Sequence, residues 1–154
     1  MDVLNRVEFA YGSLDEAFPP VDPLVEPYGS RVLVQIRTPK TKTKGGLHLI
    51  TDARDTEYWS TQVAKVRAVG PNAFKDRRTA EYWPEGAWCA PGDYVRVPKF
   101  GGDRWTVAVP KDVAESAGGV ILPDEKYEAL MVIFNDTDII GKITGDPLAI
   151  KAFL

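Results

Sequence analysis

The amino-acid sequence predicts an all-β domain, a barrel or sandwich of short strands, on three observations. Short runs with alternating apolar side chains recur along the chain. Glycine and proline, 13 and 12 of 154 residues, punctuate those runs as turn signals. No amphipathic helix of useful length competes with them.

The elements follow in order. Residues 1–27 read as an N-terminal extension. Pro19, Pro20, Pro23 and Pro27 crowd its end and favour extended chain over helix or central strand. Val3, Leu4, Val7 and Tyr11 have a helical spacing, consistent with a short ordered piece that docks elsewhere. Residues 31–37 are a half-buried strand in which Val32, Val34 and Ile36 alternate with Arg31, Gln35 and Arg37. Leu33 falls on the outer face, where a second subunit would meet it. Residues 38–60 break every period, and a loop of that length in a small domain is functional or disordered. Residues 62–69 form a second strand, stopped by Gly70-Pro71. An aromatic excursion over 71–90 holds Phe74, Tyr82, Trp83 and Trp88, of which Trp83 and Trp88 are read as packing residues. Strands follow over Tyr94–Val97, Trp105–Val109 and Tyr127–Phe134, separated by Phe100-Gly101-Gly102 and an irregular stretch at 110–126. Asn135-Asp136-Thr137-Asp138 reads as a turn in which Asp makes local hydrogen bonds, and 143–154 as a tail.

Composition narrows the function. Apolar residues make up 44% and charged residues 27%, enough for a core without staples. A net charge of −3 disfavours nucleic acid as a partner. Cys89 and His48 are the only residues of their types, so an intrachain disulfide is excluded. No zinc-ligand spacing surrounds either, and a Cys–His or Ser–His–Asp constellation is not expected. Cys89 reads as a small buried apolar side chain. The N-terminus lacks signal-peptide character, and the longest apolar runs, such as 129–134, are too short to cross a membrane. A cytoplasmic, non-enzymatic protein without cofactor or metal is the expectation.

Four blocks, in order, carry a resemblance. They are Pro27-Tyr28-Gly29-Ser30-Arg31-Val32-Leu33-Val34, and Thr43-Lys44-Gly45-Gly46-Leu47-His48-Leu49. The third joins Val66-Arg67-Ala68-Val69-Gly70-Pro71 to Pro91-Gly92-Asp93-Tyr94-Val95-Arg96-Val97-Pro98-Lys99-Phe100-Gly101-Gly102. The fourth is Asp138-Ile139-Ile140-Gly141-Lys142. Together they resemble the GroES-like co-chaperonin family, with Ser30 where an Asp is usual.

That resemblance implies a partly open β-barrel over 28–154, with a mobile loop over about 38–60, a roof hairpin over about 71–90 and a late insertion over about 110–126. It implies a ring of seven copies that caps a GroEL-like chaperonin ring and encloses an unfolded client, with ATP bound by the chaperonin and not by this chain. The chaperonin-binding residues would be Gly45, Gly46, Leu47, His48, Leu49 and Ile50. Gly45-Gly46 leaves the backbone permissive, and Leu47 and Leu49 present alternate side chains to an apolar groove. His48 stands where the family has an aliphatic residue and, pointing the opposite way, faces solvent. Were it to face the groove instead, its protonation near pH 6.5 would weaken docking.

Residues 115–124 look locally more like such a loop than the first segment does, but sit at the wrong place in the chain. Val120, Ile121 and Leu122 therefore either pack on the barrel or form a second hydrophobic hook. The extension and the tail would cover a barrel edge, thicken a subunit interface or alter the chamber. These departures point toward a bacteriophage member of the family. A zinc-binding GroES-like domain of a medium-chain dehydrogenase is set aside, because the ligand set and the glycine fingerprint are missing. A structural or assembly β-barrel, a viral one included, that keeps the fold without the chaperonin is the remaining alternative.

Overall fold

The computed structural model describes residues 13–38, 61–116 and 127–150. In chain order it holds a helical turn α1 (Leu14–Ala17), strands β1 (Arg31–Ile36), β2 (Val63–Val69), β3 (Tyr94–Arg96) and β4 (Asp103–Ala108), helix α2 (Lys111–Ser116), β5 (Glu128–Asn135), a 3-10 turn (Asp136–Asp138) and β6 (Gly141–Lys142). The six strands form one antiparallel sheet in the order β4-β5-β1-β2-β3-β6. β4 and β6 are its edges, so the barrel is open. The all-β expectation holds, with strand limits within one or two residues of the sequence reading. The 110–126 stretch is not irregular throughout, because it opens with α2.

Alternation along β1 sends Val32, Val34 and Ile36 to one face. They pack with Ala64, Val66, Val95, Leu130, Val132 and Phe134 in the main core. The 71–90 excursion folds onto that core through Phe74, Cys89, Trp83 and Trp88. Phe74 lies 5.7 Å from Trp83 and 5.8 Å from Trp88, centroid to centroid. Its φ of 63° is unfavourable for a non-glycine residue. It is held there because its N–H donates to the buried Asp136 Oδ2 at 2.9 Å, while the Asp136 N–H donates to the Ser30 carbonyl. One antiparallel bridge, Lys75 to Tyr82, ties the excursion to itself.

The other face of the sheet corrects the reading of β1. Leu33 is fully buried, with Met131, Ala129, Val107, Val109, Val21 and Ala114, and is not free to meet another subunit. Gln35 and Arg37, expected on a polar outer face, are buried as well. The cause is a cover built from distant chain. Gln35 Nε2 donates to the Pro19 carbonyl at 2.9 Å. Arg67 donates to Gln35 Oε1 at 2.6 Å and to the Val21 carbonyl at 2.7 Å. Trp105 Nε1 donates to the Pro23 carbonyl at 2.9 Å.

A β-bulge makes this possible. Leu33 pairs with Ala68 and Val34 with Val66, which leaves Arg67 as the extra residue on β2. Val66 packs into the main core, whereas Ala68 packs on the outer face and Val69 returns to the main core. Buried polar side chains need partners, and here a carbonyl of the extension supplies one to Gln35 and carbonyls of the tail supply them to Arg37.

Gly70 closes β2 where no side chain fits. A Cβ built there would lie 2.3 Å from the Gly29 carbonyl oxygen and 2.9 Å from that of Arg31. Backbone cannot yield as a side-chain tip does. We expect Gly70→Ala to cost about 1–3 kcal/mol, read as a lower urea midpoint at unchanged m-value. An unchanged midpoint would refute the close approach.

Candidate functional site

The candidate site is the end of the sheet from which residues 39–60 leave and return. Ile36 of β1 pairs with Ala64 of β2, and the Arg37 N–H donates to the Val63 carbonyl at 3.0 Å. The departing and returning chains are therefore neighbours in one ladder. β3 extends the frame, because the Val97 N–H donates to the Gln62 carbonyl at 2.9 Å.

Both termini brace this stem. The Thr38 N–H donates to the Ala17 carbonyl at 2.7 Å. Arg37 Nη1 donates to the Pro147 carbonyl at 2.8 Å and to the Ile150 carbonyl. Ala17, Phe18 and Val63 form a third apolar cluster, packed by Tyr94, Ile143, Leu148 and Ile150. Phe18 and Tyr94 lie 5.1 Å apart, centroid to centroid. The stem is thus fixed by segments from opposite ends of the chain.

Gly45, Gly46, Leu47, His48, Leu49 and Ile50 lie outside the described residues, as do Val120, Ile121 and Leu122. The positions flanking both segments are described. In β5, Glu128 pairs with Ala108 of β4, and the Val109 N–H donates to the Tyr127 carbonyl at 2.8 Å. Gln35 of β1 pairs with Met131. The antiparallel register therefore places Val109 and Tyr127, the base of 110–126, at the same end of the sheet as the base of 39–60. Two strand spacings separate the bases, roughly 10 Å.

Among the described residues, no group of three or more His, Cys, Asp or Glu side chains could hold a metal ion. Cys89 is buried in the main core. Desolvation first, and then the charge of Asp93, push its thiol up to about 11, against a smaller lowering by Lys142. A raised thiol pKa disfavours the nucleophilic thiolate, and it removes folded-state stability as pH climbs from 9 toward 11. We expect alkylation of Cys89 by iodoacetamide at pH 8 to be slower in the native chain than in denaturant, on the order of 100-fold. Equal rates would refute the burial. Among the described residues no helix is long and apolar enough to cross a membrane.

Sequence reasoning missed the stem's anchors. Arg37 sits at an alternating outward position and gives no sign of burial. The only available hint was apolar Ala17, Phe18 and Val21 among the prolines of the extension. Asp136 was expected to bond locally. It does so to the Thr137 N–H at 2.8 Å, but it also reaches Phe74 across the fold.

Comparison with known proteins gives one family. The model for the chaperonin 10 Kd subunit matches residues 24–109, so the match covers the four strands β1–β4 and ends before α2. No curated protein matches the chain.

Proposed function

The chain belongs to the chaperonin 10 Kd subunit family, and on that premise we propose that it is the subunit of an oligomeric lid that caps a chaperonin ring. The lid encloses an unfolded client while the chaperonin binds and hydrolyses ATP. The ring is built of seven copies. The contact is made by residues 45–50, with Leu47 and Leu49 entering an apolar groove of the partner.

The observation that carries this reading is the stem. A segment with a glycine pair and an apolar run springs from two paired strands braced by Ala17, Pro147 and Ile150. Such a base presents the segment between them from a fixed point. Burying two Leu side chains yields about 3–6 kcal/mol, and ordering each backbone residue costs roughly 1–2 kcal/mol. One contact is therefore weak and reversible. Identical contacts around a ring act through effective concentration, which raises avidity by orders of magnitude.

The shared end of the sheet favours a second contact beside the first, through Val120, Ile121 and Leu122. Each subunit would then offer two apolar hooks from one end of the sheet.

Sedimentation of the purified chain with a bacterial chaperonin and ATP tests the proposal. Co-sedimentation that requires nucleotide supports a lid. Absence of binding to every chaperonin tried would leave a structural or assembly β-barrel as the function.

A further inference from the structure

A polar cleft lies at the opposite end of the sheet from the stem. It is bounded by the 71–90 excursion, the start of β1 and the end of β5. Two adjoining cavities of about 390 and 350 Å³ share Ser30, Lys75, Asp76, Arg77 and Asn135 in their walls. Gly29, Arg31, Asn72 and Ala80 complete the first, and Trp83, Asp136 and Thr137 complete the second.

Arg31, Lys75 and Arg77 bring three positive charges to this cleft, on a chain whose net charge is −3. Among the described residues none of the three is ion-paired with a carboxylate. Two carboxylates, Asp76 and Asp136, stand in the same walls and accept from backbone N–H groups. Asp76 Oδ1 accepts from the Arg78 and Thr79 N–H groups at 2.7 and 3.3 Å. Asp136 accepts from Phe74 and Thr137. Lys75 Nζ lies 4.9 Å over the Tyr82 ring, and Arg77 Nη2 is 3.4 Å from Ser30 Oγ. At Gly29 a side chain is absent and the space beyond is open. The three cations and the amides of Asn72 and Asn135 thus border one accessible space.

We infer that this cleft binds a phosphate-class oxyanion. Three cations against the carboxylates of Asp76 and Asp136 leave the cleft net positive, which suits an anion, and guanidinium groups match a phosphate's geometry with paired N–H donors. The joint volume exceeds one phosphate, so the anion is either inorganic phosphate or the phosphate of a small organic ester. The cleft lies about 17 Å along β1 from the stem. Its occupancy therefore does not depend on the chaperonin contact, and each can fail without the other.

The test is titration of the full chain at low ionic strength with inorganic phosphate and, separately, with a phosphate monoester. Calorimetry gives affinity, and backbone amide shifts at Ser30, Asn72, Lys75, Arg77 and Asn135 give location. We expect saturable binding of one anion per chain. Lys75→Gln and Arg77→Gln should each weaken it about tenfold, the loss of one charge-assisted contact. Arg78→Gln, which lines neither cavity, should leave it unchanged. Tighter binding of the monoester would put the ester's organic part along Trp83, and equal binding would make inorganic phosphate the ligand. No saturable shift at these amides, or equal affinity in the wild type and the Lys75→Gln, Arg77→Gln double variant, would overturn the site.

Discussion

Replacing Leu47 and Leu49 together with Asp is expected to abolish co-sedimentation with a chaperonin while leaving the ring and the fold intact. The substitution removes about 3–6 kcal/mol of apolar burial from each contact. It also forces two carboxylates toward an apolar groove, which adds a desolvation cost. Because avidity multiplies the loss over every subunit, affinity should fall by at least about two orders of magnitude. The stem should not notice, since its anchors are Ala17, Arg37, Val63 and Pro147. An unchanged thermal transition together with lost binding would confirm that the segment binds and does not hold the fold. If the double variant still binds, the contact is the neighbouring segment. Ile121→Asp then becomes the change that releases the lid, and the assignment to Leu47 and Leu49 is wrong.

The second large effect concerns Leu33. As a subunit-facing residue, its truncation would leave each subunit stable and disturb only assembly. As a fully buried residue between the sheet and its cover, Leu33→Ala should destabilise the chain itself by about 2–5 kcal/mol. Chemical denaturation of dilute, dissociated subunits distinguishes the two. A loss below about 0.5 kcal/mol, the usual range for surface positions, would return Leu33 to an interface role. A conservative Leu33→Met change should stay within about 1.5 kcal/mol, which separates lost volume from general intolerance at the site.

The strands were legible because their period is local. Val32, Val34 and Ile36 announce one face of β1 without reference to any other residue, and Gly70-Pro71 and Phe100-Gly101-Gly102 mark the ends of runs. What covers the second face was not legible. Alternation assigns a side chain to a face, but not the company it keeps there. Gln35 looks solvated until Pro19 and Arg67 are placed beside it. The bulge at Arg67 had no signal either, since 62–69 reads as an unbroken strand. It sends two successive residues, Arg67 and Ala68, to the same face. The same limit applied to the candidate site. The glycine pair and apolar run were visible as composition, whereas the stem's dependence on Ala17 and Pro147 comes from pairings that link the two ends of the chain.

β1 is central to the sheet, with β2 on one side and β5 on the other. Its partners in β5 lie about a hundred positions downstream, as Arg31 with Asn135 shows. Topologies dominated by such nonlocal pairings belong to the slow-folding class. A chain emerging from the ribosome presents its N-terminal half first, so β1 must wait for almost the entire polypeptide before both of its ladders close. Through that interval Val32, Leu33, Val34 and Ile36 lack half of their final surroundings, and one strand edge stands open. The order of synthesis and the order of assembly therefore run against each other here. The newborn subunit is itself a chain with an apolar strand to shelter until its last third arrives.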